Sequence, residues 1–172
     1  MSNNTQNTEI QSLAKSLNAF ANESLASDVY KKGHCVEVAC ALFGVLHPQV
    51  RDMKITMLIC QLVHEPSNET QAKSIAHAYV EAEGETLDMH GLNAVERFDR
   101  AYPQAGPDKN GIVEKNYRIE MDMSTEERRM AALRVMSQTC DELGCSLDGE
   151  MVNLLQEALI NCKPADASSE IH

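Results

Sequence analysis

Ile10, Leu13, Ala14, Leu17, Phe20, Ala21 and Leu25 recur at helical spacing, which predicts an amphipathic helix opening the fold. Residues 1–9 ahead of it are largely polar and are expected to be disordered. The pattern breaks around Ser27-Asp28 and Gly33, after which Cys35 to Leu46 is apolar nearly all round, as buried helices are. His47-Pro48 ends that helix, because proline disfavours helical backbone in the residue before it.

Met53 to Val63 is β-branched and partly alternating, and Ile75 to Glu83 alternates more clearly, so both read as strands. Glu83-Gly84 predicts a hairpin turn leading into Thr86 to His90, and Asn93 to Tyr102 a short helix. Residues 103–116 carry Pro103, Gly106, Pro107, Asn110 and Gly111 and read as a loop, followed by a strand from Tyr117 to Met123. Ser124-Thr-Glu-Glu127 offers a capping box for a helix with Met130, Leu133, Met136, Cys140 and Leu143 on one face. Gly144 ends it, and Met151, Val152, Leu155 and Ala158 mark a last helix to about Asn161. The remainder, 163–172, is polar and is expected to be a flexible tail. The order α, α, β, β, β, α, loop, β, α, α is that of an α+β domain, here a single unit over residues 10–162.

The 172 residues suit one domain, and 43% hydrophobic with 24% charged residues is ordinary globular usage. Against 15 Lys and Arg stand 26 Asp and Glu, a formal net charge of −11, which argues against nucleic acid as a partner because phosphate binding rests on basic residues. A basic protein partner fits this charge, as does plain solubility. No apolar run is long enough to span a membrane, and the polar start lacks the basic and apolar regions of a secretory signal. The six cysteines therefore read as reduced thiols in a cytoplasmic protein, or in one exported without such a signal.

Chemistry enters at Gly33-His34-Cys35, where a thiol opens a buried helix. A helix N-terminus presents unpaired N–H groups and partial positive charge, both favouring a thiolate, so position alone is expected to lower the pKa of Cys35. Cys40, Cys60 and Cys140 have no such setting and read as small hydrophobes. A thiol nucleophile needs a base, and the base needs a group to fix its tautomer. His77 and Asp88 are the candidates. If Glu83-Gly84 is a two-residue turn, Tyr79 opposes Asp88 and His77 opposes His90, all four on one face, with His77 and Asp88 diagonal neighbours. A three-residue turn reverses the parity and sends Asp88 to the other face.

Gly-His-Cys opening a buried helix, a strand, then His77-Ala-Tyr-Val-Glu81, a glycine turn and Leu87-Asp-Met-His-Gly91 resembles the transglutaminase-like branch of the papain-like cysteine enzymes. The resemblance covers about residues 33–91. It implies an antiparallel sheet packed on a buried helix that carries the nucleophile, with extra N- and C-terminal helices. It also implies a triad of Cys35, His77 and Asp88. The activity implied is that of a cysteine hydrolase acting on a protein amide, a thiol protease or glutamine deamidase, of which small members include bacterial effectors. The Cys-Trp pair and preceding Gln of papain-type proteases are absent here, so the oxyanion donors expected are the Cys35 N–H and, as a candidate, Gln61.

His34, Cys35, His77 and His90 are residue types that zinc accepts, but no C-x-x-C or H-E-x-x-H spacing accompanies them, and neither metal nor cofactor is expected. Glu81, Glu83 and Glu85 at the hairpin fit either steering of a basic substrate or a solvated turn. Two function classes stay open: the cysteine-dependent enzyme, and a non-catalytic acidic interaction module that keeps the same fold.

Overall fold

The computed structural model describes residues 3–20, 33–101 and 108–162. Its elements are α1 (Asn3–Phe20), α2 (Cys35–Leu46), β1 (Met53–His64), β2 (Glu69–Ala82), β3 (Glu85–Asp88), β4 (Gly91–Leu92), α3 (Ala94–Ala101), β5 (Ile112–Asp122), α4 (Glu126–Glu142) and α5 (Gly149–Asn161). All strand pairs are antiparallel, in the order β4-β3-β2-β1-β5, and the chain is α+β.

The buried helix α2 organises the core. Val38, Ala39, Ala41, Leu42 and Leu46 are buried together with Ile55, Met57, Ala78 and Val80 of the sheet, Leu13 and Leu17 of α1, Met136 of α4 and Leu155 and Leu159 of α5. Helix α2 is covered on several sides, which is why its sequence is apolar nearly all round. A second, smaller cluster of Leu58, Tyr79, Ala94 and Phe98 forms where α3 packs on residues of β1 and β2 that alternate with the core set.

Several boundaries differ from the sequence expectation. Helix α1 begins at Asn3, seven residues before Ile10, the first apolar position of its pattern. Leu25 and the 163–172 tail lie outside the described residues. Strand β2 starts at Glu69, six residues before its alternating segment, because the long β1 offers partners as far as His64↔Glu69. Strand β5 likewise starts at Ile112, within the expected loop, and pairs from His64↔Ile112 to Lys54↔Asp122. The pairing partner decides both ends, the preceding strand of the same hairpin for β2 and a distant part of the chain for β5. In α4 the cap is Thr125, whose Oγ1 accepts from the Arg128 N–H at 3.2 Å, and not Ser124. The buried stripe of α4 is Ala132, Met136 and Cys140, while Met130 and Leu133 are exposed.

Gly144 ends α4 with a φ of +76°, and the Gly144 and Cys145 N–H groups donate to the Asp141 and Cys140 carbonyls at 3.1 and 2.9 Å. This is the left-handed glycine cap in which two orphan carbonyls are satisfied together. Among the described residues no helix is long and apolar enough to cross a membrane.

Candidate functional site

Three local features bring the candidate residues together. The first is the hairpin: Ala82↔Glu85, Glu81↔Thr86 and Val80↔Leu87 pair, so Glu83-Gly84 is a two-residue turn. Both turn residues have positive φ, 52° and 83°, the signature of the type I′ turn that matches strand twist. The second is the end of β3 at Asp88, where the chain turns into β4, so that among the described residues β2 has a strand partner on that side only from Val80 to Ala82. The third is a bulge: Leu58 pairs His77 but Ile59 pairs Ile75, so Ala76 is the extra residue. Bulges kink a strand and re-aim the adjacent side chain.

His77 and Asp88 meet here. His77 Nε2 lies 2.8 Å from Asp88 Oδ2, and the His77 ring stacks on Phe98 with centroids 5.8 Å apart and planes 5° off parallel. Asp88, only 3% exposed, also accepts at Oδ1 from the His90 backbone N–H at 2.7 Å and from the Arg97 guanidinium. Arg97 donates in addition to the Gly91 carbonyl at 3.1 Å. Burial pushes the Asp88 pKa up, but the His77 hydrogen bond, the His90 N–H and Arg97 outweigh it and hold the carboxyl below its usual value. Asp88 is thus a fixed anion with three donors. His90 is lowered, chiefly by burial.

Cys35 heads α2 behind Gly33, and the N-cap residue His34 provides no side-chain cap to the first turn. Its thiol does not behave as helix position alone suggests. Burial, then the Glu37 carboxylate, push the Cys35 pKa up to about 11, against hydrogen bonds from the Cys35 and Val36 N–H groups that pull it down. Desolvation of the thiolate outweighs the helix terminus. Glu37 is a buried carboxylate on the first turn of α2, 3.5 Å from His34 Nδ1 and accepting from the Asp148 N–H at 3.1 Å.

Cys35, His77, Asp88 and His90 all line one pocket of about 620 Å³, with an apolar wall including Val38, Ile75 and Phe98. No hydrogen bond joins Cys35 Sγ to the His77 ring in this state. Asp88 occupies Nε2, so Nδ1 is the ring nitrogen left to serve a thiol.

Gln61 is not in the pocket. It stands three residues beyond Leu58 on β1, roughly 10 Å along the strand, and its amide donates to Thr70 Oγ1 at 2.7 Å. The structure therefore does not bring Gln61 together with Cys35 and His77. Arg97, Phe98 and Glu37 were missed by the sequence reading. The Arg-Phe pair on a short helix after the Asp carries no spacing signal of its own, since its role depends on α3 folding back over His77 and Asp88. Cys40, read as a small hydrophobe, is buried with its sulfur 3.8 Å from that of Met136. No cluster of three or more His, Cys, Asp or Glu suited to a metal occurs among the described residues. Compared with known proteins, the chain matches no family model, no curated protein and no solved structure.

Proposed function

We propose that the chain is a cysteine-dependent amide hydrolase with a papain-like or transglutaminase-like core, acting on a protein by glutamine deamidation or limited proteolysis. Cys35 is the nucleophile, His77 the base and Asp88 the group that orients the base. The observation that carries this reading is the 2.8 Å His77–Asp88 contact on the wall of a pocket that also contains a thiol at the head of a helix.

In the reaction His77 Nδ1 takes the Cys35 proton as Sγ attacks the amide carbon. The carbonyl electrons move onto oxygen, which the N–H groups at the start of α2 stabilise. Collapse breaks the C–N bond, and the leaving amine or ammonia takes the proton from His77. Water, deprotonated by His77, then hydrolyses the thioester to the acid and restores the thiol. With its pKa near 11, Cys35 rests as a thiol, so proton transfer accompanies attack instead of preceding it. Substrate closes the gap between Cys35 and His77, as catalytic contacts that are loose in the free enzyme commonly tighten on binding.

One observation favours the second reading, a non-catalytic module of the same fold: the raised Cys35 thiol makes no hydrogen bond to His77. The test is incubation of the full chain with an unstructured glutamine-containing protein, followed by ammonia release and mass spectrometry. Deamidation converts amide to acid and proteolysis splits the chain; either must vanish in both Cys35→Ala and His77→Ala. Activity that persists in Cys35→Ala sinks the assignment, and no turnover of a broad peptide pool favours the module.

A further inference from the structure

Around the pocket the charge is opposite to that of the chain as a whole. The protein carries a formal −11, yet the charged side chains lining the pocket are Arg97, Arg100 and the single carboxylate Asp88, beside the imidazoles of His34, His77 and His90. Asp88 is consumed by its three donors, and Arg97 is committed to Asp88 and the Gly91 carbonyl. Arg100 is different. It is exposed, one turn beyond Arg97 on α3, and has no ion pair or hydrogen bond among the described residues. The three glutamates of the hairpin, Glu81, Glu83 and Glu85, do not line the pocket.

Near physiological salt, exposed charges more than about 8 Å away are largely screened, so a ligand at Arg100 feels that arginine more than the distant surplus of carboxylates, while the buried Glu37 carboxylate acts at the Cys35 end of the pocket. An apolar wall with one uncommitted guanidinium is suited to a neutral amide arm plus one anionic oxygen group, which a guanidinium binds in bidentate fashion. We propose that the pocket selects an amide substrate bearing a carboxylate or phosphate beside the reacting amide, recognised by Arg100. This rests on the amide-hydrolase reading and gives it a substrate class, an acidic or phosphorylated peptide segment and not a basic one.

The test uses the full-length Cys35→Ala protein, which binds without turning over. Three peptides, alike except that a central glutamine is flanked by Glu, phosphoserine or Lys, are titrated calorimetrically at low and high salt. The Glu or the phosphoserine peptide is expected to bind about tenfold tighter than the Lys peptide at low salt, with the difference shrinking as salt rises. Which of the two binds tighter tells carboxylate from phosphate. Arg100→Gln should reduce the preference and Arg100→Glu abolish or reverse it, with the fold checked by circular dichroism. Equal or tighter binding of the Lys peptide, a preference untouched by Arg100→Glu, or no binding of any of the three overturns the proposal. Turnover by the wild-type chain separates the two readings. An anionic peptide that binds but keeps its amide leaves the charge selection standing and removes the hydrolase, whereas turnover of the Lys peptide alone does the reverse.

Discussion

Asp88→Asn is the most informative single substitution, because its outcome turns on which way the new amide must face. In the native site Oδ1 receives two donors, the His90 N–H and Arg97, while Oδ2 receives His77 Nε2. An asparagine has one acceptor and one donor terminus. Its oxygen must take the Oδ1 place, since an NH2 there would face an N–H and a guanidinium with nothing to accept. The amide NH2 is then directed at His77 Nε2, which can only respond by accepting. That drives the ring proton onto Nδ1, the nitrogen that has to take the proton of Cys35.

The tautomer is then wrong for catalysis, and in the serine-protease case of the same logic the loss is about 10⁴ in turnover. A loss of about 10³ to 10⁴ is expected here, about 4 to 5.5 kcal/mol of transition-state stabilisation. The stability cost is smaller, about 1–3 kcal/mol, since two donors keep a neutral acceptor and lose only charge assistance. Two measurements check this. Turnover of a glutamine-containing protein gives the rate, and ¹⁵N chemical shifts of the His77 ring report which nitrogen carries the proton, independent of any substrate. Asp88→Asn turnover within tenfold of the wild type, or a His77 proton still on Nε2 in the variant, would refute the orientation argument.

Four further outcomes rest on the same geometry and burial. With iodoacetamide at pH 7 the exposed Cys145 should react ahead of Cys35, whose rate should climb about tenfold per pH unit toward its pKa near 11; selective Cys35 labelling at pH 6 would instead reveal an ion pair with His77. Burial raises Cys35 to about 11 and Cys40 and Cys140 to about 12, from 9.0, so their contribution to stability is intact below pH 9 and is lost as pH rises toward 11–12; a melting temperature flat from pH 8 to 11 contradicts this. Asp88 acts at the other end: with its pKa lowered, its contribution is present above about pH 4 and lost as pH falls further, a loss that Asp88→Asn should remove from acid unfolding curves. Glu83→Asn should stabilise the protein by about 0.5–1 kcal/mol, because Glu83 holds φ at 52° where asparagine is better tolerated; an unchanged or lower melting temperature argues against the strained turn.

The sequence by itself determined what depends on neighbours in the chain. An apolar dodecamer between Cys35 and His47-Pro48 could only be a buried helix, and its ends coincide with α2. Glu83-Gly84 sets the parity of the hairpin, which is why His77 and Asp88, eleven residues apart, end within one hydrogen bond. Gly144 closes α4 through two short-range hydrogen bonds.

What only the tertiary structure decided is whatever depends on elements meeting from afar. The polar start of β5 is a strand because β1, far back in the chain, lends it a ladder. Met130 and Leu133 lie on helix positions that stay exposed among the described residues. Gln61 has the right chemistry on the wrong stretch of strand. The Cys35 thiol is the sharpest case. Its helix N-terminus, readable in the sequence, lowers the pKa. Its burial, and a Glu37 carboxylate beside it, raise the pKa further than the terminus can pull it down. Helix position is a local property, but desolvation is set by everything packed around an atom, and that sum is known only once the chain has folded.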